Sequence, residues 1–299
     1  MPNLRPVDAQ PVLEGALLIQ NFISKSLRDF TLRMRKVPLL IMAGTLMWMA
    51  SSCQSLKENQ SELENKASIL ETKILLLQEH LDHGEPELAI QTLRPMLQEY
   101  PDNPLVYNMA GLAYLSLHSY GRAKFYFESA YKLNKDSASG LNLSSVLIEL
   151  QKYKEARQVL KAVLRDKNYS YQERVLHNYA LSFEKEGRLR VAEKYYKKAL
   201  LENPGYYLSR IQLGYLLKKQ KKEVEAMESF RLAANFCKTC FEPVQELFYH
   251  HLFKNEAKKA AQLIDSFLTN KELSPESRVE GKKLKRLALQ SLTHPTSIR

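Results

Sequence analysis

Apolar residues along most of the chain recur at offsets of three and four, the spacing that places them on one face of a helix. A second, longer period runs through the same pattern. Small residues stand at Ala89, Ala123, Ala156, Ala192, Ala226 and Ala260, separated by 34, 33, 36, 34 and 34 positions. Four residues beyond each comes a larger side chain: Leu93, Phe127, Leu160, Tyr196, Phe230 and Ile264. Three further on stand Met96, Ala130, Val163, Ala199, Ala233 and Phe267. Another apolar-periodic segment precedes each alanine, clearest at residues 107–114 and 211–217. Each unit therefore reads as two helices, and about six units occupy residues 69–270. The class is all-α, a solenoid of stacked helix-turn-helix units.

Gly111 and Gly214 fall where paired helices must approach closely, a place where a side chain would hold the backbones apart. Pro101 and Pro204 close units, because proline cannot continue a helix interior. Residues 271–299 read as a capping helix and tail. Ser274 is the N-cap and Pro275 the first residue of a helix over 275–292, with Val279, Leu284, Leu287 and Leu289 as its apolar stripe. An open solenoid end would leave its apolar face wet, so such a cap is required. Residues 294–299 read as a frayed tail.

The repeat resembles the tetratricopeptide family, whose pattern is W-x2-L-G-x2-Y, then A-x3-F, then P. Tyr107, Ala110, Gly111, Tyr114, Ala123, Phe127 and Ala130 match it in the second unit. Leu176, Tyr179, Ala180, Phe183, Gly187, Ala192, Tyr196, Ala199 and Pro204 match it in the fourth. The first unit departs: Lys73 and Leu77 replace the aromatic and the glycine, and Pro95 falls inside its second helix, as in a kinked edge unit.

The start of the chain is different in kind. Arg35 and Lys36 precede an uncharged run over residues 37–50, followed by Ser51, Ser52 and Cys53. A charged start, a short apolar core and small residues are the layout of a secretion signal. A bilayer span needs about 20 apolar residues, more than this core supplies. The cysteine after the small residues resembles a bacterial lipoprotein box, with Ala50 where that pattern usually has leucine. The resemblance implies a signal peptide at 34–52 and a lipidated Cys53. An uncleaved anchor and a buried core helix are the alternatives. Gln54 after the cysteine implies, by the same resemblance, an outer-membrane lipoprotein facing the periplasm. Residues 54–68 are polar and read as a tether. Residues 1–33 mix Asp8, Glu14 and Asp29 into apolar segments, unlike a signal, and read as a misassigned extension ahead of a start at Met34.

Charge modifies this picture little. The 299 residues carry 44 Lys and Arg against 33 Asp and Glu. Removing six basic and three acidic residues up to Cys53 leaves 38 against 30, or +8. Basic runs at Lys218, Lys219, Lys221, Lys222 and at Lys282, Lys283, Lys285, Arg286 read as solvated helix surface or as attraction to anionic lipid or an acidic partner. An exported chain rarely meets DNA, so no nucleic acid is expected.

Catalytic signatures are missing: the sequence has no HExxH, no glycine-rich phosphate loop and no GxSxG. No enzyme activity, cofactor or metal is expected, and the seven histidines read as surface or packing residues. Cys237 and Cys240 cannot by themselves make a four-ligand zinc site. In an oxidising compartment they would close a disulfide, with free thiols or a redox or metal function as alternatives.

Solenoids of this kind bind along the face built from first helices. In family register, Leu105, Asn108, Leu112, Leu141, Ser145, Ile148, Leu181, Ile211 and Tyr215 point there, with Leu112, Leu141, Ile148 and Leu181 as the leading contacts. Several of these would alternatively pack between neighbouring repeats. The apolar bias suits an amphipathic helix or an extended segment of a protein partner. The Lys and Asn set that chaperone-binding relatives use to clamp a terminal carboxylate is not evident. A lipoprotein signal, a polar tether and six repeats together resemble the type IV pilus pilotin lipoproteins. Residues 165–204 resemble their lengthened junction, with Tyr169, Glu173 and Asn178 in matching places. That resemblance implies a secretin subunit as partner; a general periplasmic scaffold for cell-wall or envelope assembly proteins is the other reading.

Overall fold

The computed structural model describes Gln60 and residues 64–293. The expected signal, Cys53 and the tail at 294–299 lie outside the described residues. The chain divides into two units, Met1–Glu71 and Thr72–Arg299. In the first, residues 64–71 are helical, so helix begins inside the stretch expected as a tether.

The second unit is helical throughout its described elements: α1 (residues 72–82), α2 (Pro86–Glu99), α3 (Pro104–Ser116), α4 (Tyr120–Asn134), α5 (Ser137–Glu149), α6 (Tyr153–Val163) and α7 (Gln172–Lys185). It continues with α8 (Leu189–Glu202), α9 (Tyr207–Lys219), α10 (Glu223–Phe236), α11 (Phe241–Phe253), α12 (Ala257–Leu268) and α13 (Pro275–Thr293). First helices are the odd-numbered α1 to α11 and second helices the even-numbered α2 to α12. Each second helix from α2 to α10 contacts the first helix that follows it, and α5 also contacts α7. This nearest-neighbour stacking builds a solenoid.

The repeat ladder is the core. All six alanines are fully buried, and so are Phe127, Leu160, Tyr196, Phe230 and Ile264. The glycines fit as expected. A Cβ on Gly111 would stand 2.5 Å from the Phe127 ring, and one on Gly214 would stand 2.7 Å from Phe230. In the first unit Leu77 takes the glycine's place and is itself fully buried. Pro95 lies inside α2, which continues to Glu99.

The turn joining the helices of each repeat uses one left-handed residue: Gly84, His118, Gln151, Gly187, Lys221 and Asn255, with φ from 53° to 82°. Their spacing is the repeat spacing. Four of the six carry a Cβ, which this conformation penalises. Other ends are capped by side chains. Asn103 Oδ1 accepts from the Leu105 and Val106 amides at 2.9 and 3.2 Å, and Asp136 Oδ1 from Ser139 at 2.8 Å.

The long spacing between Ala156 and Ala192 is absorbed at residues 164–171, between α6 and α7. Asp166 anchors that junction, accepting from the Ser137 hydroxyl at 2.6 Å, while its carbonyl accepts from Gln172 at 2.7 Å. Burial pushes the Tyr169 phenol up to about 12.

Ser274 caps α13, its hydroxyl accepting from the Ser277 amide at 3.1 Å. The apolar stripe of α13 differs from the expectation. Gly281, Leu284 and Ala288 are the buried positions, whereas Val279 and Leu289 are exposed. Gly281 allows close approach to Leu268, whose Cδ2 would stand 2.9 Å from an added Cβ, and this sets the rotation of the helix.

Candidate functional site

The face of the first helices is partly sealed by the stacking that forms it. Leu141 packs among Leu160, Val163 and Val175. Ile148 lies with Phe127 and Ala156, and Ile211 with Ala180, Phe183 and Tyr196. Asn108 is buried as well. These four expected groove residues are therefore packing residues, since consecutive first helices close over them. Leu105 is exposed, and Leu112, Ser145, Leu181 and Tyr215 are half-buried.

Those last four form one row at repeat spacing, which continues to the exposed Tyr249, 34 residues after Tyr215. Phe253, one turn further on α11, is 84% exposed. The sequence reading stopped short of both, although the period that located Tyr215 also locates Tyr249.

Polar side chains cross-link the row. Asn142 Nδ2 donates to Asn108 Oδ1 at 3.0 Å, joining α5 to α3. Asn178 Nδ2 donates to the Ser145 hydroxyl at 2.8 Å, joining α7 to α5. The Tyr215 phenol is pushed well above its ordinary value by burial and by hydrogen bonding to Glu242 and Glu246. Lys218 donates to Glu246 at 2.5 Å. The face is thus apolar in patches and charged toward α11, rather than uniformly apolar.

Behind the row, His177 is buried between the rings of Tyr196 and Tyr206, at centroid distances of 5.4 and 5.5 Å. It hydrogen-bonds the Ser209 hydroxyl at 3.0 Å, and burial lowers its pKa to about 4. It is held neutral as a core residue. His80, His250 and His251 each face a carboxylate, Glu85, Glu223 and Glu256, at 3.1, 3.0 and 2.7 Å.

Cys237 and Cys240 form a disulfide with Cα atoms 5.4 Å apart. It staples the turn from α10 to α11. The basic runs are largely neutralised: Lys218 pairs with Glu246, Lys219 with Glu184, Lys283 with Glu280 and Lys285 with Asp265.

The model of the tetratricopeptide repeat family matches residues 105–137 and 173–206. The chain carries tetratricopeptide repeats. Curated relatives matching through such repeats include tetratricopeptide repeat protein 21B of Xenopus laevis, 31% identical over 93 residues. Tetratricopeptide repeat protein 21A of Mus musculus is 29% identical over 93 residues. Both alignments cover 31% of this chain and 7% of the relative.

Three solved repeat structures share the fold. Pseudomonas aeruginosa PilF aligns with a TM-score of 0.55 at 20% identity, covering 71% of this chain and 96% of its own. PilW, described as a widely conserved type IV pilus biogenesis factor, aligns at 0.57 and 18% identity, covering 70% and 97%. A tetratricopeptide repeat protein of Parabacteroides merdae aligns at 0.56 and 16%, covering 73% and 83%. Among the described residues, no helix is long and apolar enough to cross a membrane.

Proposed function

We propose that this chain is a non-enzymatic scaffold that holds a segment of a partner protein along its first-helix row. The observation carrying this reading is the row itself, Leu112, Ser145, Leu181, Tyr215 and Tyr249. Its apolar members Leu112, Leu181, Tyr215 and Tyr249 recur at repeat spacing, while Ser145 within the row and Asn108 behind it are held by bonds from Asn178 and Asn142. A fixed row of apolar anchors suits an amphipathic helix or an extended segment.

Within that scaffold role, the reading is a pilotin-like factor for assembly of a type IV pilus secretin at the outer membrane. Lipidated Cys53 brings the bound subunit to the bilayer, where tethering raises its effective concentration. The lipoprotein-like signal, the lengthened junction at 164–171 and the fold shared with PilF and PilW support it.

The test is affinity capture of the lipidated protein from detergent-solubilised envelopes, with partners identified by mass spectrometry. A secretin as dominant partner, lost in a Leu112→Glu, Leu181→Glu variant of unchanged helicity, is expected. Cell-wall enzymes or other envelope proteins instead would move the reading to a general envelope scaffold. Capture unaffected by the double variant would remove the row from the interface.

A further inference from the structure

We propose that the outer sides of α6 and α8 form a docking surface for an anionic lipid bilayer. The dense basic runs in the sequence suggest such contact first, but five of their lysines are held in ion pairs. The unpaired cations cluster elsewhere. Lys154, Lys161 and Arg165 on or just after α6, with Arg190 and Lys194 on α8, are exposed. Among the described residues, none of the five has a side-chain hydrogen bond or an ion pair.

Two observations put these cations on one face. Adding the local repeat spacing of 36 to Lys154, Gln158, Lys161 and Arg165 gives Arg190, Lys194, Lys197 and Leu201. Stacked repeats present equivalent positions to the same side. Arg157 of α6 and Arg188, the N-cap of α8, also meet on the Phe183 ring, at 4.5 and 4.7 Å from its centroid. Within each helix the offsets of four, three and four make a single exposed stripe.

The carboxylates here are Glu155, Glu193 and Glu202, with Asp166 in the junction. Glu155 pairs with Lys152, Glu193 with Lys197, and Asp166 is engaged by Ser137, so positive charge dominates. Leu201 ends the α8 stripe 80% exposed and lines a shallow groove with Arg190, Lys194, Lys197, Lys198 and the Lys197-paired Glu193. Cations around an exposed leucine suit a headgroup layer, in which the ammonium and guanidinium groups meet phosphates and the leucine enters the acyl boundary. The surface uses second helices and the start of the junction after α6, with no residue from a first helix, so the first-helix row stays open for a protein segment.

The experiment uses the mature chain, starting at residue 53 and carrying Cys53→Ser, so that neither the apolar run at 37–50 nor an acyl chain contributes. Its partition onto vesicles of phosphatidylcholine with about 30 mol% phosphatidylglycerol is compared with pure phosphatidylcholine. Binding to the anionic vesicles alone, weakening as salt rises, is expected. Lys161→Glu, Arg190→Glu, Lys194→Glu should lower partition about a hundredfold, at roughly fivefold or more per cation. Lys254→Glu, Lys271→Glu, Lys282→Glu, with the same charge change elsewhere, should leave it within a few-fold. Both variants are checked for unchanged helicity. Equal losses in the two variants, equal binding to neutral vesicles, no binding at all, or displacement onto an acidic polypeptide would each overturn the proposal.

Discussion

Arg157 of α6 lies over the ring of Phe183 in the next repeat, its guanidinium carbon 4.5 Å from the ring centroid. The same guanidinium donates to Glu186 at 3.0 Å, and this bond holds the Glu186 carboxyl below the usual carboxylate range. One planar cation therefore joins two repeats through a ring and a carboxylate. Lysine keeps the charge but neither the stack nor the fork. Arg157→Lys should lose nearly as much stability as Arg157→Ala, about 1 kcal/mol from the ring contact. Thermal unfolding checks this, and full stability in the lysine variant would count against the stack.

Gly214 faces the Phe230 ring at a distance that leaves no room for a methyl. Gly214→Ala should cost about 1–3 kcal/mol, because a close-packed neighbour must move. Phe230→Leu in the same chain should recover part of that loss. Additive losses in the double variant would mean that the two positions are not coupled.

The left-handed turn residues make opposite predictions at two sites. Gly187→Ala has open space around its Cβ, so its cost is conformational alone, about 1 kcal/mol. Lys221→Gly removes the same penalty from the next turn and should raise the melting temperature by a few degrees, partly offset by the greater freedom of glycine in the unfolded chain. Denaturation of the two variants side by side decides it; a shift in the same direction for both would sink the idea.

Burial holds the His177 pKa at about 4, below its ordinary value. The unfolded chain binds a proton at this residue near pH 6.5, which the folded chain refuses until about pH 4. Stability should therefore be fully present above pH 6.5 and fall as pH drops to about 4, by on the order of 3 kcal/mol. His177→Gln should flatten that slope. An unchanged slope in urea midpoints between those pH values would place the titration elsewhere.

The repeat and its core were legible in the sequence because both depend on spacing alone. Each predicted alanine and each large residue four positions on is buried. The site was legible only in part. Spacing assigns Leu141, Ile148 and Ile211 to first helices, but whether they face a partner or the adjoining repeat depends on how tightly consecutive first helices stack. The neutralised lysines were hidden for a related reason, since Lys218 and Lys219 find their partners 28 and 35 residues away. Such partners can be found only once the repeats are stacked. In α13 the stripe was misjudged because Gly281, which no hydrophobicity pattern counts, supplies the closest approach.

The Tyr196 hydroxyl donates to Glu184 at 2.7 Å from a ring that is fully buried. Equivalent slots in other repeats hold Phe127, Leu160, Phe230 and Ile264, which carry no polar atom. Near-identical units can dock onto the wrong neighbour during folding. Glu184 lies on α7 and Tyr196 on α8 of the same unit, so this bond holds whichever neighbour the unit meets, and losing it would strand the buried hydroxyl at roughly 1–3 kcal/mol. Tyr196 thus works as an internal clasp, fastening the fourth helix pair to itself independently of the units on either side.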